Sequence, residues 1–519
     1  MESRQRFNNA RPIAVLLLLG FSVPLAAATD VGRLISALDH PLSSARKDAA
    51  ERLAGVGASE GQEAVPRLVE SLNDVEPEVR RASARALGVL GGGSQQASGA
   101  LVVALQDDDW VVRREAAHAL HRLQSTAGSE LPALRSVLAE GTPAARTAAA
   151  RALAGLAPAS NAALPELIAS LRDEQWQTRA AAAHAIGELG EDARAAVPAL
   201  AIALRDPDWG VAEPVVEALS RVGAAAIPVL IEGLEDPALA VRWGSARSLA
   251  AMVADAEEAV PALAHAMRDE EIMVRWAAAR AVWAIGPGAE RATAALVDAL
   301  GDASWIVRWS AARALGAIGG ADQQRAAGTV AALAAALKDE DSRVCEAAAF
   351  ALENIGMAAR DAVAALGDAV TGAGNGTSSG ACQVIDVGPA TKEVLMETGW
   401  TVRWAAVRAL GVVGTGHADA LPPLTAALTD QEWQIRGVAA LALGQFGTAA
   451  TAAAVTALIE RLNDDHAAVR LAVASALGDI GTAAHPAIER LRNLAEDEDP
   501  AVRAAAEKAV LKLSVRQEG

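Results

Sequence analysis

Residues 302–319 read DASWIVRWSAARALGAIG, and the phrase returns as DEEIMVRWAAARAVWAIG at 269–286 and as DQEWQIRGVAALALGQFG at 430–447. Aligning the chain on the Arg of its V-R step gives Arg46, Arg80, Arg113, Arg146, Arg179, Arg242, Arg275, Arg308, Arg403, Arg436, Arg470 and Arg503, with degenerate copies at Ala212 and Cys345. These fourteen anchors lie mostly 33 or 34 residues apart, and a fixed period of that length marks a stacked array, not separate globular domains. Each repeat opens with a short apolar segment such as Pro198 to Leu204, passes an acidic turn, and runs into the segment holding the anchor. Two helices per repeat, each too short to stand alone, must bury their faces against neighbouring repeats. The fold class is therefore all-α: an α-solenoid, or superhelix, of about fourteen two-helix repeats of about 33 residues.

Composition agrees. Hydrophobic residues make up 52% of the 519, but aromatics only 3%, with eleven Trp, four Phe and no Tyr. The apolar content is mostly Ala, Leu and Val, which favours helix over sheet. The formal net charge of −18 repels phosphate backbones, so no nucleic-acid partner is expected.

The V-R-x-x-A-A-x-A-L-G-x-I-G phrase resembles the HEAT repeat, in the short form named after phycobilisome lyases (PBS lyase HEAT-like). The resemblance covers nearly all of residues 30–513 and implies stacked helix pairs whose second helices line the concave surface. It says little about function, because such repeats serve scaffolds, adaptors and a few enzymes. One HEAT-repeat enzyme, deoxyhypusine hydroxylase, binds iron through His-Glu dipeptides, and no His here is followed by Glu. The bilin-lyase alternative conflicts with the export signal described below.

Advancing 100° per residue from the anchor at 0°, positions −1, +3, +7 and +10 share one stripe, which in the ninth repeat is Val307, Ala311, Leu315 and Ile318. That stripe is the expected core. An Asp six residues before the anchor recurs as Asp74, Asp107, Asp173, Asp236, Asp269, Asp302, Asp430, Asp464 and Asp497, and is expected to bond anchor arginines of its own or the next repeat. Trp110, Trp176, Trp209, Trp305, Trp400 and Trp433 occupy the first turn of the second helix, where each ring is expected to cover the acidic turn and pack on the adjacent repeat, the alternative being an aromatic docking ridge.

Positions +1, +5 and +8 lie opposite the core on the same wheel and are expected to face solvent. They carry Trp243 with Arg247, Trp276 with Arg280 and Trp283, Trp309 with Arg313, and Trp404 with Arg408. Trp and Arg four apart let the guanidinium lie over the indole. Trp and Arg dominate protein interfaces, so these nine residues form the candidate partner-binding wall. A protein segment is the expected ligand; an anionic glycan or sugar polymer is second, since Arg forks onto carboxylates. The sixth repeat, with Ala212, Glu213, Pro214 and Glu217, and the tenth, with Cys345, Glu346, Phe350 and Glu353, interrupt this wall.

Residues 1–28 read as a cleaved export signal: Arg4, Arg6 and Arg11, then an apolar core from Ile13 to Leu25, then Ala26-Ala27-Ala28. A periplasmic or secreted protein follows, with no membrane span in the mature chain. The array is expected over 29–370 and 392–513, with a tail at 514–519. A Gly/Ser-rich loop at 371–391 separates anchors 345 and 403. In an exported protein the two cysteines, Cys345 and Cys382, read as a disulfide. Gly376 to Gly380 spells G-x-S-x-G but lacks the strand-to-helix setting that gives the motif meaning. His118 and His121 share a helix face without a third ligand in reach. No catalytic residue, metal or cofactor is expected.

Overall fold

The computed structural model describes residues 31–515, apart from 124–127, 158, 320–322 and 373–399. The proposed export signal, Cys382 and nearly all of the 371–391 loop lie outside the described residues. Among those described, every regular element is a helix, and each of the fourteen anchor-bearing helices, from Ser43–Ala54 to Pro500–Val515, follows a first helix of its own repeat. The chain forms two compact bodies, the first ending at Leu134 and the second beginning at Arg135.

The repeat is built from local signals. In the sixth, Pro198 sits in the first turn of Val197–Ala203, where its missing N–H would be unpaired anyway. In the ninth, helix Trp305–Ile318 buries Val307, Ala311, Leu315 and Ile318, the stripe the wheel selects. The helix then stops at position +11. Gly190, Gly223, Gly286, Gly319, Gly356, Gly447 and Gly481 all occupy that position with positive φ, which only glycine adopts without strain. Two helical runs, Trp209–Gly233 and Ala467–Glu496, are long and apolar enough to cross a membrane. Each joins the second helix of one repeat to the first of the next, and each is broken at such a glycine, Gly223 and Gly481, both with φ of 76°.

Within each body consecutive second helices pack side by side. A Cβ on Gly316 would lie 2.7 Å from Cα of Ala351 in the next repeat, and Gly88 with Ala119 and Gly478 with Ala509 repeat the contact at 2.8 and 2.9 Å. The stack is unbroken at the insertion: helix Trp400–Val413 packs on both Val363–Thr371 and Ser342–Ile355.

The anchor arginines are staples. Arg80 gives Nε and Nη2 to the two carboxylate oxygens of Asp107 in the following repeat, at 2.6 and 2.8 Å, while its Nη1 donates to the carbonyls of Asp74 and Val75 in its own turn. Arg46 holds Asp74 in the same way. In the second body the series runs Arg146–Asp173, Arg179–Asp206, Arg242–Asp269, Arg275–Asp302, Arg308–Asp339, Arg403–Asp430, Arg436–Asp464 and Arg470–Asp497. Thus the carboxylate goes to the preceding repeat's arginine and the carbonyl to its own. Where the anchor is missing the staple is improvised. Asp236, which Ala212 cannot reach, takes Arg205, and the Cys345 thiol donates to the Asp339 carbonyl at 3.2 Å.

Candidate partner-binding face

The nine wall residues do lie on one layer of second helices, yet the expectation that all of them face solvent is wrong. Trp243 and Trp276 are each only 6% exposed, and Trp283, Trp309 and Trp404 are half-buried. The cause is lateral packing. A wheel describes one helix, whereas each second helix here is flanked by two others, so positions +1 and +8 point sideways into a neighbour. Trp243 meets Trp209 edge-on at 5.6 Å, Trp283 meets Trp309 at 6.0 Å, and Trp404 meets Phe350 at 6.0 Å. In the second repeat +5 and +9 point outward, as the exposed Arg85 and Val89 show, whereas in the third Arg114 at +1 and His121 at +8 are exposed as well.

Each +5 arginine of the candidate wall lies over an indole, as the spacing predicts: Arg247 over Trp243 at 4.9 Å, Arg280 over Trp276 at 5.7 Å and Arg408 over Trp404 at 4.8 Å. Arg313 lies between two rings, 4.4 Å from Trp283 and 5.3 Å from Trp309. These guanidiniums are therefore pre-positioned by the aromatic layer beneath them.

The wall is also less basic than its sequence. Arg247 is paired with Glu213, and Arg408 with Glu353 at 2.7 Å. Glu217 pairs with Arg221 at 2.7 Å. Sequence reasoning treated the sixth and tenth repeats as interruptions; they supply the carboxylates that neutralise the +5 arginine of the following repeat. The signal was present in the spacing, since Glu213 and Arg247 are 34 residues apart. Burial holds the Glu346 carboxyl above its ordinary range, despite a hydrogen bond from Thr401 and the nearby Arg313 charge.

Four of the first-turn tryptophans reach the adjacent repeat, Trp209 through Trp243, whereas Trp110 is 61% exposed and lies against Arg114 of its own helix at 5.2 Å. Trp176 lies against Gly210, Trp305 carries Arg343 at 3.4 Å, and Trp433 stacks on His466 at 3.9 Å and 5°. The Trp400 side chain lies outside the described residues. Cys345 is fully buried; its proposed partner, Cys382, lies outside the described residues. Among the described residues no group of three or more His, Cys, Asp or Glu side chains is placed to hold a metal ion.

Beside the wall residues a cleft of about 300 Å³ opens between helices Trp209–Val222, Leu239–Met252 and Ile272–Ile285. Helix Trp209–Val222 lines it with Glu213 and Glu217, helix Leu239–Met252 with Arg247, Ala250 and Ala251, and helix Ile272–Ile285 with Trp276 and Arg280. Sequence reasoning named Arg247, Trp276 and Arg280 but missed the alanines, because small residues in an alanine-rich chain carry no signal of their own.

The HEAT-repeat profile matches overlapping windows covering residues 31–375 and 389–514. The chain belongs to the HEAT-repeat family. Among solved structures it is similar to a mutant of Kap121p, with a TM-score of 0.64 at 15% identity over 93% of this chain and 56% of that one. Kap121p bound to Nup53p gives 0.62 at 15% over 94% and 57%, and the Kap95:Nup1 complex 0.55 at 16% over 93% and 70%. The chain thus spans a little over half the length of Kap121p, and identities this low establish a shared α-solenoid fold. No curated protein matches.

Proposed function

We propose that this protein is an exported, non-catalytic scaffold or adaptor that holds a protein partner against the layer of second helices. The observation that carries the reading is the row of +5 arginines, Arg247, Arg280, Arg313 and Arg408, each mounted on an aromatic ring. A guanidinium already fixed in place loses little side-chain entropy on binding, which is how Arg contributes strongly to interfaces. Kap121p, similar in fold, is known bound to the protein Nup53p. A glycan reading is weaker, because Trp243 and Trp276 at 6% exposure offer no open ring face on which a sugar can stack. The absence of any His-Glu dipeptide argues against the hydroxylase alternative. Assignment to the short, phycobilisome-lyase form of the repeat rests on the V-R-x-x-A-A-x-A-L-G phrase, and export on the residue pattern from Arg4 to Ala28.

The test is site-specific photocrosslinking in an envelope extract, with the crosslinker at Ala317 on the second-helix layer or at exposed Glu232 on a first helix. A protein adduct at 317 and none at 232 is expected. Equal adducts at both, or none at 317, would overturn the reading.

A further inference from the structure

Two departures from the repeat, in helix Trp209–Val222 and at Val253, adjoin the cleft at repeats six to eight. Helix Trp209–Val222 carries Pro214 inside it and Ala212 where the anchor arginine belongs. Helix Leu239–Met252 presents Ala250 and Ala251 on the cleft, where a larger side chain would fill it. That helix ends at Val253, with φ of 53°, the one non-glycine residue with positive φ among the described residues. A β-branched residue in this region is strained. Places where several local rules fail together are where folds carry function.

The charges of the cleft then select a ligand. Glu213 and Arg247 satisfy one another, and Glu217 is held by Arg221. Arg280 is exposed and rests on Trp276 at 5.7 Å, with no carboxylate bonded to it among the described residues. It is the one charge of the cleft left for a ligand. The lining by Ala250, Ala251 and Trp276 is apolar, and the cleft's 300 Å³ is at the small end of binding sites, of order 300–1,000 Å³.

We propose, building on the scaffold reading above, that this cleft binds an extended segment of a partner protein with one acidic side chain beside an apolar one. The ligand carboxylate forms a charge-assisted pair with the Arg280 guanidinium, and the apolar side chain fills the space over Ala250 and Ala251. With Arg247 and Arg221 already held by Glu213 and Glu217, Arg280 is the one cation for an acidic side chain to meet, so the motif carries one acid and is otherwise neutral.

The experiment is selection of a phage-displayed library of random 12-residue peptides on the full chain, followed by fluorescence-polarisation binding of the enriched peptides. Peptides with a single acid next to an apolar residue are expected. Arg280→Glu is expected to weaken them at least tenfold, as is Ala251→Trp, which fills the cleft without touching Arg280. Arg268→Ala, on an exposed first-helix pair with Asp298, is expected to change nothing, and circular dichroism checks that each variant folds. No enrichment, enrichment of peptides lacking an acid, or equal binding to both cleft variants would overturn the proposal. Peptides that bind both cleft variants but are lost on Arg313→Glu would leave the scaffold reading standing while removing the cleft, so the two failures are distinguishable.

Discussion

Arg436 gives Nε and Nη2 to the two carboxylate oxygens of Asp464, both at 2.8 Å, across the boundary between consecutive repeats. The side chains are 10% and 2% exposed, so Asp464 is stranded if Arg436 is lost, whereas Arg436 keeps the exposed carboxylate of Asp465 at 2.8 Å if Asp464 is lost. Breaking a buried pair from one side costs about 3–5 kcal/mol because the remaining charge is stranded. Arg436→Ala should lower stability by about 3 kcal/mol, read as the shift of the urea midpoint, with Asp464→Ala costing less because Arg436 keeps Asp465, and Arg436→Lys also costing less. A shift equal to that of an exposed pair such as Lys338–Asp368 would show that the staple contributes little.

The same staples set the response to acid. Hydrogen bonds from Arg46 and Arg470 hold the Asp74 and Asp497 carboxyls below their ordinary value. At Asp464 burial is the largest influence and pushes the other way, but the Arg436 hydrogen bond, the His466 N–H and the Arg436 charge together outweigh it, so its carboxyl too is held low. A carboxyl whose pKa is depressed on folding contributes stability that is complete above its unfolded value, near 4, and is lost as pH falls through the folded one. Thermal midpoints should therefore hold steady from neutral pH to about 5 and fall below about 4. A plateau reaching pH 2 would contradict this.

Glu346 has the opposite sign. Burial raises its carboxyl pKa, so its ionised form opposes folding, and the cost grows as pH rises past the ordinary carboxylate range. Glu346→Gln should raise the melting temperature at pH 7, and the difference should vanish below about pH 4, where both side chains are neutral. An unchanged melting temperature at pH 7 would mean that Arg313 compensates the buried charge in full.

Trp243 tests the corrected geometry of the face. At 6% exposure and wedged against Trp209, it behaves as a core residue, and Trp243→Ala should cost about 3–5 kcal/mol. Arg280→Ala, at an exposed position, should stay within about 0.5 kcal/mol. If the two substitutions cost the same, the indole is not in the packed layer. The tryptophans are accordingly folding probes, and the +5 arginines are the substitutions that report on binding.

What could be read without the structure follows from this. The period, the core stripe Val307, Ala311, Leu315 and Ile318, and the Trp–Arg stacking at spacing four are properties of one helix or of a repeated phrase, so they were legible. The Arg–Asp staple was half legible, because recurrence of the Asp revealed the pair but not which repeat it served. Lateral burial of Trp243 and Trp276, the pairing of Arg247 with Glu213, and the opening beside Ala251 depend on how adjacent second helices meet. A single-helix wheel contains none of that information.

Val253 is the last such case and the most open to test. Seven repeats place a glycine at +11 with positive φ, whereas the seventh uses Val253 at φ 53° and ψ −123°. A β-branched residue in that region is strained by about 1–3 kcal/mol. Val253→Gly should therefore raise stability by about 1 kcal/mol, the gain being reduced by the extra freedom glycine gives the unfolded chain. The residue lies two positions from Ala251, which lines the cleft. If the strain helps hold the three helices apart, the substitution should also weaken the selected peptides while Trp fluorescence and helicity remain unchanged. A more stable variant with full peptide affinity would separate the strain from the cleft, and a less stable one would show that the valine side chain contributes packing that outweighs its backbone cost.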